Sequence, residues 1–160
     1  MATTLLRRMC RQATQQWRLD MLYDSQCPLC LHEVKFLQRR DTAGLIKFTD
    51  ISSPDYMPSQ HGGVDYEAGM RVIHAVTREG EVVAGVEVFR RVYTAVGLGW
   101  VWSATRLPGL SWLADRLYQS WAGQRMRLTG REDLETIFRR RRQLLEKEGG
   151  LCDENNKCKL

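Results

Sequence analysis

The stretch MLYDSQCPLCLHEV, Met21 to Val34, sets two cysteines three residues apart, directly after an apolar triplet and directly before an amphipathic run. Residues 20–24, DMLYD, read as a short buried strand. Pro28 to Arg40 reads as a helix with Cys30, Val34 and Leu37 on one face. Proline fits the first helical position, where its missing N–H is not needed, so Cys27 stands near the helix N-cap. A chain of this pattern turns sharply from strand into helix at its cysteines, and the rest must pack around that corner.

Downstream, LIKFTDI (Leu45 to Ile51) is a second β-rich run, which completes a β-α-β unit whose crossover should be right-handed. Ser52 to Gly69 holds two prolines, three glycines and several polar residues, and reads as a loop with one helical turn. MRVIHAVT, the turn REG and EVVAG then predict a β-hairpin from Met70 to Gly85. Val86, Phe89, Tyr93 and Val96 recur at helical spacing before a stop at Gly97. The order β-α-β, loop, β-β-α is that of an α/β, thioredoxin-like core.

The remaining third reads as a C-terminal helical extension. Pro108 splits it, and Leu110, Leu113, Leu117 and Trp121 form an apolar stripe that is expected to add to the core. A last helix from Arg131 to Lys147 should bury Leu134, Ile137, Phe138, the stem of Arg141, Leu144 and Leu145. Trp100, Trp102, Trp112 and Trp121 are expected in the core or at its edge; a patch left exposed on this segment would instead favour docking to a partner. The implied organisation is a basic arm or leader over 1–19, a thioredoxin-like domain with its helical extension over 20–148, and a polar tail with Cys152 and Cys158 over 149–160.

A chain of 160 residues can build a core without disulfides, so stability does not explain the cysteines. There are five, an odd number, and Cys10 is the obvious leftover. With no secretory signal, a close pair points to redox or metal chemistry. The first nineteen residues contain no acid but carry Arg7, Arg8, Arg11 and Arg18, which suits an organellar leader, mitochondrial or chloroplast, as well as a short basic arm. Apolar runs such as VVAGV and LGWVW are too short to span a bilayer. The net charge of +5 does not imply nucleic acid, because Arg139 to Arg142 spirals round a helix without interleaved aromatics and reads as a solvated or protein-docking face.

The position of Cys27 determines its chemistry. Unpaired N–H groups at a helix N-terminus stabilise a thiolate, which lowers the pKa of Cys27, whereas Cys30 should lie deeper and be less exposed. Such a pair suits thiol–disulfide exchange: Cys27 attacks a substrate disulfide and Cys30 resolves the mixed disulfide. The competing reading is half of a zinc site completed by Cys152 and Cys158, whose five-residue gap exceeds ordinary ligand spacing. No metal or cofactor is therefore expected. Asp24 has two readings, a turn residue accepting backbone N–H bonds or a proton acceptor for Cys30. The tail cysteines are open between a local disulfide and a relay to Cys27 and Cys30. His74 is expected to be partly buried and hydrogen-bonded, while His32 and His61 have no partner at a telling spacing.

YDSQCPLC, with Asp24, Cys27 and Cys30, resembles the signature of the DCC family of thiol-disulfide oxidoreductases. The likeness continues through KFTDISS, GVEVFRRVY and GLGWVW to the cysteine-containing tail, covers Met21 to Cys158, and is greatest to plant and algal organellar members. The resemblance implies a thioredoxin-like fold, redox-active Cys27 and Cys30, and protein thiols or disulfides as partners. One departure stands out. Thioredoxins place a cis-proline just before the third strand, facing the active pair, whereas here that strand begins near Met70 and the nearest upstream proline is Pro58. Ala68 to Arg71 should then face Cys27, with Arg71 either beside the thiolate or pointing to solvent. The function expected is protein disulfide exchange through the Cys-Pro-Leu-Cys pair. The alternative is a thioredoxin-like accessory subunit docked on a larger organellar complex.

Overall fold

The computed structural model describes residues 17–107 and 109–149, so the basic arm up to residue 16, Cys10, Pro108, Cys152 and Cys158 lie outside the described residues. The elements, in chain order, are β1 (Leu19–Tyr23), α1 (Pro28–Arg40), β2 (Ile46–Asp50), α2 (Tyr66–Arg71), β3 (His74–Thr77), β4 (Val82–Ala84), α3 (Val86–Ala95), α4 (Leu110–Leu128) and α5 (Leu134–Gly149). Short 3-10 segments lie at Pro58–Gln60 and Gly99–Arg106. The sheet order is β2-β1-β3-β4, with β1 parallel to β2 and antiparallel to β3. This is the α/β, thioredoxin-like arrangement with a C-terminal helical extension.

Because β1 is central and covered on both faces, its sequence is almost continuously apolar. Leu19 and Met21 join Leu37, Ala75, Val83, Val88 and Val92 in one core. Leu22 belongs to a second core with Ile51, Val64, Met70, Val76, Met126 and Phe138. The exception in β1 is Asp20, which is buried and accepts from Lys47 Nζ at 2.9 Å and Thr49 Oγ1 at 2.6 Å, and also bonds His61 Nδ1 at 2.9 Å. His61 therefore has a partner that its spacing did not reveal, and its bond to Asp20 fixes the loop before α2. Gly62, next to it, has φ +65°, and a Cβ there would meet Val82 Cγ2 at 2.5 Å. Asp20→Ala should reduce unfolding free energy by about 3 kcal/mol, read from urea denaturation, because it strands buried partners.

Three expectations are corrected. Met70 and Arg71 end a helix instead of opening the third strand. Asp65 caps α2 by accepting from Ala68 N at 2.7 Å, and Met70 is fully buried in the second core. Second, Leu110, Leu113, Leu117 and Trp121 face outward, with Leu117 63% exposed; the packed face of α4 is Ala122, Arg125 and Met126, with Tyr118 partly buried beside them. Trp100 and Trp112 are exposed too, and of the segment's tryptophans Trp102 is the most enclosed. Third, the last helix begins at Leu134, after Asp133 accepts from Thr136 N at 3.0 Å, and Leu144 is exposed. Phe138 is buried as expected, and the Arg141 guanidinium lies 4.0 Å from the Tyr66 ring centroid. Arg140 and Arg142 reach Glu132 and Glu67.

Candidate active site

The strand-to-helix corner holds Asp24, Cys27 and Cys30 together. Cys27 is the N-cap residue of α1 with extended backbone, Pro28 occupies the first turn, and Cys27 N donates to Asp24 O at 3.1 Å. Asp24 is buried and fully engaged: Oδ1 accepts from Gln26 N at 2.9 Å and from Ser52 Oγ at 2.6 Å, and Oδ2 pairs with Arg131. The bond to Gln26 closes an Asx turn. Arg131 also reaches Gln26 Oε1 at 3.1 Å, which ties the turn after α4 to the residue preceding Cys27.

Both cysteines are free thiols. The Cys27 pKa is lowered to about 6, chiefly because the Cys30 thiol hydrogen-bonds its sulfur. Burial works against this, while the N–H groups of Cys30 and Leu29 at the helix end and the Arg125 guanidinium favour the thiolate. Cys30 is pushed the opposite way by donating to Cys27, by burial and by the Cys27 charge. Exposure is the reverse of the expectation. Cys27 is 0% exposed, and Cys30 is the partly accessible member of the pair.

Of the two readings of Arg71, the one at the surface holds. Arg71 pairs with Glu135 at 2.7 Å on the surface and lies over Phe138. Arg125, buried on α4, supplies the charge and donates to the Met70 carbonyl. The residues leading into β3 beside the pair are Val72 and Ile73, because His74 is in register with Leu22 near the end of β1. The Ile73 N–H is taken by Tyr118 Oη at 3.0 Å. His74 is half-buried, its Nδ1 2.8 Å from the Val72 carbonyl oxygen, as expected. A cavity of about 370 Å³ opens beside Cys30, walled by Leu29, Ile73, Phe89, Trp102, Tyr118 and Trp121, with Glu33 and Arg125 among its polar members. No grouping of three or more His, Cys, Asp or Glu in metal-binding range exists among the described residues, and no helix among them is long and apolar enough to cross a membrane.

A four-stranded β2-β1-β3-β4 sheet with a cysteine pair at the N-terminus of the first helix defines a thioredoxin-like dithiol protein. The DCC1-like thiol-disulfide oxidoreductase family matches residues 21–131, and the chain belongs to that family. It is also 45% identical over 147 residues to a chloroplastic protein of Arabidopsis thaliana described as uncharacterized, covering 91% of this chain and 67% of the relative. No solved structure matches the chain.

Proposed function

We propose that Cys27 and Cys30 are the reacting thiols of this oxidoreductase and exchange disulfides with protein substrates. The observation that carries the reading is the placement of the pair at the strand-to-helix corner, two free thiols with Cys27 at the N-cap of α1 and Cys30 in its first turn, and the lowered Cys27 pKa agrees with it. Cys27 attacks the substrate disulfide, and Cys30 then gives up its proton and resolves the intermediate. Asp24 accepts from Gln26, Ser52 and Arg131 and positions the turn before Cys27. Because Cys27 is enclosed, attack requires the surface over it to open when substrate docks. The Arabidopsis relative's description and the acid-free, arginine-bearing first nineteen residues support a plastid location.

Stabilising the thiolate stabilises the reduced pair, which makes the disulfide a better oxidant. Equilibration with glutathione should therefore place the Cys27–Cys30 couple above thioredoxin's value of about −270 mV. A potential at or below that value would contradict an oxidising role.

A second reading is compatible with the first. The outward stripe of Leu110, Leu113, Leu117 and Trp121, with Trp100 73% exposed nearby, is the apolar surface that favours docking onto a larger assembly.

A further inference from the structure

Among the described residues, three buried side-chain atoms have no hydrogen-bond partner: Glu33 Oε1, Trp102 Nε1 and Arg125 Nε. All three residues belong to the wall of the cavity beside Cys30. Buried polar groups are normally satisfied, so three unpaired atoms from residues of one wall are a demand for a ligand. They comprise two donors and one carboxylate oxygen, whose other side is hydrogen-bonded by Tyr93. The rest of the wall is mostly apolar and rich in aromatic rings, with Tyr23 and His32 as further polar members. Phe89 and Trp102 stack at 5.3 Å, and Tyr118 meets Phe89 at 5.9 Å and Trp121 at 5.9 Å. The matching ligand is planar, largely apolar and furnished with two carbonyl acceptors. An apolar side chain of a substrate peptide would fill the space and leave the donors unpaired.

We propose that the cavity is a quinone site at which the Cys27–Cys30 pair is oxidised. The proposal rests on the dithiol reading, taken in the direction in which a substrate dithiol reduces the Cys27–Cys30 disulfide by the reverse of the exchange above, and it supplies the oxidant that restores that disulfide. Cys30 is the member of the pair in the wall, so the ligand lies against the sulfur that must lose its proton. In the step the Cys30 S–H bond breaks and an S–S bond forms to the Cys27 thiolate. Two electrons pass from the sulfurs to the quinone, whose oxygens take one proton from Cys30 and one from solvent to give the hydroquinone. The half-buried Glu33 carboxyl, its pKa raised chiefly by desolvation, stands in the same wall where that proton moves. Trp121 belongs both to the cavity and to the outward stripe of α4, so a hydrocarbon tail leaving the site has Leu117 and Leu113 to run over.

The probe is tetramethyl-1,4-benzoquinone, which has no free ring position for a thiol to alkylate. Calorimetry on the full chain carrying Cys27→Ser and Cys30→Ser should show saturable binding of one quinone. Adding Trp102→Phe should weaken it about fivefold, the effect of one lost neutral hydrogen bond. Tetramethylbenzene, which lacks the carbonyls, should bind still more weakly to the chain without that third change, a comparison that does not depend on the variant's folding. Without oxygen, reduced wild type should form one hydroquinone per Cys27–Cys30 disulfide. No saturable binding, equal affinity for the two probes, or hydroquinone formed no faster than by Cys27→Ser would overturn the site. Glutathione exchange in the same preparation separates the two readings: quinone failure with exchange intact overturns the quinone site alone, and failure of both overturns the dithiol reading as well.

Discussion

Cys27→Ser should reduce disulfide exchange with a protein substrate to the rate of the buffer control. The nucleophile is a thiolate, and a serine hydroxyl at the same helix end stays protonated and does not attack sulfur. The change is nearly isosteric in a buried position, so thermal unfolding of the reduced variant should remain cooperative, and that measurement separates loss of chemistry from loss of fold. Retention of wild-type activity would mean that the partly exposed Cys30, or a cysteine elsewhere in the chain, does the work.

The second large effect concerns what keeps Cys27 acidic. Its leading cause is the hydrogen bond from Cys30, so Cys30→Ala and Cys30→Ser should differ. Serine still offers a donor and should hold the Cys27 titration near its wild-type midpoint of about 6. Alanine should raise the midpoint by a unit or more, and each unit removes about tenfold of the thiolate at pH values below both midpoints. Ultraviolet thiolate absorbance is the readout, because it does not require a reagent to reach a buried sulfur. The same shift has a stability consequence. A thiol whose folded pKa is depressed from 9.0 to about 6 adds stability that is fully present above pH 9 and is lost as the pH falls through 6. Reduced wild type should therefore gain stability relative to Cys27→Ser as pH rises from 6 to 9, at no more than about 1.4 kcal/mol per unit. Cys30, shifted upward, acts in the opposite sense and only above pH 9. Equal midpoints in the alanine and serine variants would remove the thiol–thiol bond from the explanation.

Much of the corner was legible because it is local. A buried strand, a turn with Asp24 and a proline at the first helical position are short-range signals, and they put Cys27 at a helix end before any tertiary contact is considered. The hairpin start was misread because Met70 and Val72 alternate as a strand would. The Asp65 cap and the burial of Met70 against Ile51 and Val64 decide for helix. Arg125 and Arg131 were missed for a different reason. Arg131 lies 107 residues from Asp24, and the contact exists only after α4 has folded back over the pair. The stripe on α4 had the right period but the wrong partner: the face that packs is the adjacent one through Ala122, Arg125 and Met126, with a polar residue where apolarity was expected. Cavity walls drawn from β1, α1, α3, the Gly99–Arg106 segment and α4 leave no signature in one dimension.

The most direct test is to trap the reaction halfway. With Cys30→Ser the resolving thiol is gone, so incubation with an oxidised protein substrate should leave a mixed disulfide that peptide mapping assigns to Cys27. The bond should be released by added thiol and should be absent when Cys27 is also serine. A mixed disulfide mapped to Cys10, Cys152 or Cys158 in place of Cys27, or none formed by a chain that still folds, would contradict the assignment of Cys27 as the attacking sulfur.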